Sequence, residues 1–170
     1  MTQYAAVITV HKTATNVTPQ IKQVSTAGSR FVPGAPFATG TYSLNLTMLN
    51  TGTMLLEDLF FKVQPSWNIS NTLVNRDPDS PPSVGATKTV DDGDLPGGNG
   101  IWDPGETHTE FFVLGLNYPS FKVIFNLYTW VAVTADVSAE PLLVATFEVD
   151  LDPTKLVEHE HRVYLPFLVK

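Results

Sequence analysis

The chain contains no cysteine. That excludes disulfide stapling, thiolate metal sites and cysteine nucleophiles, and it leaves the redox compartment open. Basic residues are few: ten Lys and Arg stand against seventeen Asp and Glu, a net charge of −7. A nucleic-acid partner is not expected on that balance, because phosphate binding needs a basic footprint. No stretch approaches the ~18 unbroken apolar residues of a spanning helix, so membrane insertion is not expected. The first 30 residues lack a basic region followed by an apolar run. Either there is no secretory leader, or this is the mature form with the leader removed. With 43% of its 170 residues hydrophobic, the chain is about one domain's worth and can build one sizeable core. That excludes disorder for its bulk. Asn-x-Ser/Thr sequons at Asn16, Asn45 and Asn68 permit surface glycosylation.

Strand patterns dominate what is present. Tyr4 to Val10, Tyr42 to Leu49, Leu59 to Val63, His108 to Leu114, Phe121 to Thr134, Leu142 to Val149 and Val163 to Val169 are rich in β-branched and aromatic residues. Asn68 to Val74 is a weaker eighth candidate, and Gly, Pro, Asn and Asp clusters separate the runs. In Tyr42 to Asn50 the alternation puts Leu44, Leu46 and Met48 on one face and Ser43, Asn45 and Thr47 on the other. No helical stripe is present, and thirteen prolines make long helices improbable. Short strands with turn signals between them argue for an all-β, antiparallel β-sandwich of seven to nine strands.

One interval breaks the rhythm. Between Asn75 and Gly105 only Thr87 to Val90 resembles a strand, and a structureless loop well beyond ~12–15 residues is usually functional or ordered by something else. From Asp77 to Glu106 there are seven acidic residues and one basic residue, Lys88, and six of the eleven glycines fall between Gly85 and Gly105. With Glu106 set at the last position of a twelve-residue calcium loop, Asn99, Gly100, Ile101 and Asp103 take the places of side-chain ligand, sharp-turn glycine, backbone carbonyl and ligand or water holder. The first half departs from that pattern, since Leu95 and Gly97 fall where ligands should stand. Asp92 and Asp94 supply the Asp-x-Asp spacing a few residues upstream, as though Leu-Pro-Gly were inserted. The expected metal set is Asp92, Asp94, Asn99, Ile101, Asp103 and Glu106, holding Ca²⁺ in a structural role. The plain alternative is a solvated acidic turn. Asp77 and Asp79 read as ordinary turn residues rather than a second ion site, and Trp102 as a lid closing the loop onto the sandwich.

Two stretches carry a family resemblance. Leu44 to Asn50-Thr-Gly52, followed by Leu55 to Val63, is similar to the Asn-Thr-Gly strand and turn of bacterial and archaeal cell-surface repeat domains, the CARDB-like, immunoglobulin-like adhesion modules. Asn99-Gly-Ile-Trp-Asp-Pro-Gly-Glu106-Thr, leading into His108 to Leu114, resembles the Asp-Pro-Gly-Glu-Thr approach to a later strand of such domains. The resemblance covers roughly residues 40 to 150. It implies a secreted or cell-surface immunoglobulin-like sandwich used for structure or adhesion. It further implies that Asn50 and Gly52 form the turn and that Asn99, Asp103 and Glu106 bind metal. Such modules usually occur in long chains, so extended structure here would come from self-assembly.

A sandwich over residues 1–152 is therefore expected to precede a tail at 153–170. The tail carries Val163, Leu165, Phe167 and Val169 on one face and Tyr164, Pro166 and Leu168 on the other, and its ending also resembles a Tyr-Leu-Pro ending of some secreted bacterial proteins. A strand apolar on both faces must be buried on both or find a partner. It is either the last strand of its own sandwich or a strand donated to a neighbouring copy, and repeated donation head to tail yields a filament. Tyr4 to Val10 could donate instead.

Catalysis is not expected. His159 and His161 would share a strand face but have no evident third ligand, and no Gly-x-Ser-x-Gly or phosphate-binding glycine loop is present. The competing function is carbohydrate binding through Trp67, Trp130, Tyr118 and Tyr128, although a core position is expected for Trp130 and a core or rim position for Trp67. The reading that results is a non-enzymatic, calcium-stabilised subunit of an extracellular filament or surface layer, with copies of itself as partner. The alternative is a calcium-stabilised carbohydrate-binding or adhesion module.

Overall fold

The computed structural model describes residues 21–119, 122–130 and 141–151. The segments Tyr4 to Val10 and Val163 to Val169, with Phe121 and the 131–134 end of the predicted long strand, lie outside the described residues. Nine strands are present among those described: β1 (Ile21–Ser25), β2 (Arg30–Pro33), β3 (Gly40–Asn50), β4 (Leu59–Val63), β5 (Thr72–Leu73), β6 (Thr87–Thr89), β7 (Thr107–Leu116), β8 (Lys122–Thr129) and β9 (Leu142–Asp150). All pair antiparallel, in two sheets. One runs β1-β3-β7-β5 with β2 also on β3; the other runs β6-β4-β8-β9. The fold is an antiparallel β-sandwich.

The period-two pattern of β3 decides its orientation. Tyr42, Leu44, Leu46 and Met48 are buried between the sheets, while the intervening residues lie on the outer face. β7 pairs with β3 from Gly40↔Leu116 to Leu49↔Thr107 and sends Phe112 and Leu114 into the same interior. From the other sheet come Phe61, Phe125 and Phe147. Phe61 meets Phe112 edge-on at 5.0 Å, and Phe112 stacks on Phe125 at 4.4 Å. Burying each such ring contributes ~1.5–3 kcal/mol.

The β1 and β2 strands have no counterpart in the sequence reading. In β1 only Ile21 is buried, and β2 has no fully buried residue, so no alternation marks either. They divide one edge of β3: β2 takes Gly40–Ser43 and β1 takes Thr47–Asn50. The turn between them is tied to β3 by the Asn45 N–H donating to Ser29 Oγ at 3.0 Å. Phe37 folds over the far end of β7, where a Cβ on Gly115 would come within 2.2 Å of the ring.

Candidate functional site

The acidic loop between β6 and β7 is fastened to the sandwich rather than free in solvent. It contains two single-turn 3₁₀ helices, Asp92–Asp94 and Pro96–Gly98, and contributes Leu95 and Trp102 to the core. Trp102 forms an antiparallel bridge with Leu56, and its indole N–H donates to the Glu106 carbonyl at 2.9 Å. Asn50 is the second anchor. Fully buried, it donates through its carboxamide to the carbonyls of Trp102 (3.1 Å) and Met54 (3.2 Å), and accepts from the Gly52 N–H (3.0 Å). The Asn50–Gly52 turn is thus built on one side chain that also holds the loop. Trp102 closes the loop onto the core.

The six residues expected to bind metal fall into separate groups. Asp92 lies against Gly100, whose φ of +75° favours glycine; a Cβ there would stand 3.0 Å from Asp92 Cγ. Asn99 Oδ1 accepts the Ile101 N–H at 3.1 Å, and Glu106 Oε2 accepts the Asp103 N–H at 3.1 Å. Asp94 turns its carbonyl to His108 Nδ1 at 3.1 Å. No group of three or more His, Asp or Glu side chains close enough to share a cation occurs among the described residues. The loop brings Asp92 to the Asn99–Ile101 turn and Glu106 to Asp103, and its closed conformation is held by protein hydrogen bonds.

Beneath the loop lies a charged network that the sequence reading missed. His108 and Glu110, two apart in the inward register of β7, are both buried, with His108 Nε2 3.1 Å from Glu110 Oε2. Lys88 on β6 reaches the other Glu110 oxygen at 2.5 Å and so joins the two sheets. Burial pushes the Glu110 carboxyl up, but hydrogen bonds from His108 and Lys88, together with their charges, outweigh it and hold the group below its ordinary value of 4.5. The signal was legible: His108-x-Glu110-x-Phe112-x-Leu114 places two ionisable residues on a face otherwise apolar. The Asp77 carboxylate is tied to β6, accepting from Thr87 Oγ1 (2.6 Å), Thr89 Oγ1 (3.2 Å) and the Thr89 N–H (2.9 Å).

The aromatic candidates separate. Trp67 is 2% exposed and belongs to the core, as expected. Trp130 does not: it is 43% exposed. Its place corrects the core assignment, and alternation gives the reason. Val123, Phe125, Leu127 and Thr129 point inward, so Tyr128 and Trp130 fall on the outer face of β8. There they flank Phe60 of β4, with ring centroids 5.3 Å (Tyr128) and 5.7 Å (Trp130) from it. Beside these rings is a cleft of about 300 Å³ reaching across β4 to Thr89. Tyr118 stands past the end of β7, 57% exposed, and is not among the residues that line this cleft.

No protein-family model matches the chain, and no curated protein matches it in sequence. No helix among the described residues is long and apolar enough to cross a membrane.

Proposed function

We propose that the protein is a non-enzymatic structural subunit of an extracellular filament or surface layer, self-associating by strand addition, with calcium ordering its acidic loop. The observation that carries this reading is β9. Among the described residues it is the terminal strand of its sheet, nine residues long, with Leu142 and Leu143 36% and 44% exposed. A long edge strand of that kind is a template for an incoming strand. Val163, Tyr164, Leu165, Phe167, Leu168 and Val169 form a segment apolar on both faces, which suits it to such addition. Donor and acceptor are different surfaces, so the contact is heterologous and propagates.

The interior supports a structural role. His108, Glu110 and Lys88, the side chains best suited to acid–base work, are turned on one another inside the sandwich. The similarity of the Asn50–Gly52 turn and the Asp103–Thr107 approach to CARDB-like surface modules supports the extracellular setting. Calcium is supported by charge: Asp91, Asp92, Asp94, Asp103 and Glu106 share one anchored loop, and a cation bound only in the folded state would add to its stability. The test is sedimentation of the full chain against a chain ending at Asp152. The full chain forms large species and the shortened one, with a native circular dichroism spectrum, does not. A full chain that sediments as a monomer refutes the reading.

A further inference from the structure

The cleft on the outer face of the β6-β4-β8-β9 sheet has its own chemistry, separate from the acidic loop and from any strand exchange. Its lining includes Phe60 and Trp130 together with Asp58, Asp77, Thr87 and Thr89. Register explains how they meet: Phe60 pairs with Thr89 on one side and Tyr128 on the other, so a row of outward side chains crosses three strands. Its volume of about 300 Å³ is at the small end of the ~300–1,000 Å³ usual for ligand sites.

The polar groups are matched to a hydroxyl-rich guest. Thr87 and Thr89 both direct their hydroxyl protons at Asp77, which leaves oxygen lone pairs to accept from a ligand. The Asp58 carboxylate makes no hydrogen bond or ion pair among the described residues. Its backbone is held in the left-handed region, φ +48°, its backbone carbonyl accepts the Trp130 backbone N–H at 3.3 Å, and both residues line the cleft. Aromatic faces that cover C–H surface, next to an array of acceptors, fit the apolar face and hydroxyl edge of a pyranose ring. Two aspartates at the cleft, in a chain of net charge −7, disfavour phosphates, sulfates and uronates.

We propose that this cleft binds a neutral pyranose unit of a polysaccharide, with Phe60 and Trp130 as the stacking surface and Asp58, Thr87 and Thr89 as hydroxyl acceptors. It would give the subunit a hold on a sugar polymer, and it stands whether or not the chain polymerises.

Isothermal titration with cellohexaose, xylohexaose and laminarihexaose, with hexagalacturonate as the acidic comparison, tests the assignment. At least one neutral oligosaccharide saturates the protein, and hexagalacturonate does not. W130A weakens that binding by about tenfold or more, the scale of one lost stacking contact. D58N, which keeps a residue tolerant of the left-handed backbone, weakens it several-fold, while Y118A leaves it unchanged. Absence of binding by all three neutral sugars, equal binding by hexagalacturonate, or W130A binding as the wild type does would each overturn the proposal. So would a W130A variant whose only change is lost self-association, since the cleft would then be covered by a second copy.

Discussion

The Lys88 ammonium lies 2.5 Å from the Glu110 carboxylate although the two residues belong to opposite sheets. With Lys88 15% and Glu110 4% exposed, the pair is largely shielded from solvent, and His108 completes it from the same strand as Glu110. The network clamps the sandwich at the end where the acidic loop closes, because His108 also holds the Asp94 carbonyl. Buried pairs of this kind add little relative to an apolar replacement, but losing one partner is costly because the other is left uncompensated.

Glu110→Gln should therefore destabilise the protein by about 3 kcal/mol at neutral pH. The pH dependence has a definite sign. A carboxyl held below its ordinary value of 4.5 contributes stability that is fully present above that value and is lost as pH falls through the depressed folded value. Urea unfolding between pH 7 and pH 3 should show the wild type losing stability below about pH 4.5. The variant should lose less over the same range. Parallel curves would contradict this.

Asn50→Ala removes three hydrogen bonds at a fully buried position and leaves the Trp102 carbonyl without its side-chain donor. The expected cost is about 2–4 kcal/mol, from unsatisfied groups at ~1–3 kcal/mol each. Limited proteolysis should then cut the variant within residues 91–106 before any strand. Cleavage at the wild-type rate would show that Asn50 is not the anchor.

Gly115→Ala would place a methyl group within 2.2 Å of the Phe37 ring, at a position where β7 is buried. Displacing the ring should cost about 1–3 kcal/mol, the scale of overpacking, and lower the thermal midpoint. Phe37→Ala in the same background should recover part of that loss, since it removes the clash.

The calcium reading predicts that millimolar Ca²⁺ raises the melting temperature and that a chelator reverses the shift. At a hundredfold excess over its dissociation constant a ligand adds ~2.7 kcal/mol. Asp92→Asn combined with Glu106→Gln should abolish the shift. Identical melting curves with Ca²⁺ and with chelator would remove calcium from the account.

The strands that carry the core were legible because their faces differ. β3, β4, β7, β8 and β9 alternate or run apolar, and each lies within a few residues of its expected span over the described residues. β1 and β2 were not legible, because as half-lengths on one edge of β3 they bury almost nothing and their existence depends on the neighbour. The acidic loop stands out in the sequence, but its anchors do not: Asn50 and Trp102, fifty-two residues apart in sequence, meet through one hydrogen bond. The apolar neighbours of Trp130 point to the core, whereas counting inward positions from Val123 places it outside. The cleft needed three strands in register and could not be read from any one of them.

Negative-stain microscopy of the full chain in millimolar Ca²⁺, beside the chain ending at Asp152, bears most directly on self-assembly. The account predicts fibres or sheets of regular spacing from the first and dispersed particles from the second. Dispersed particles of single-subunit size in both would contradict it.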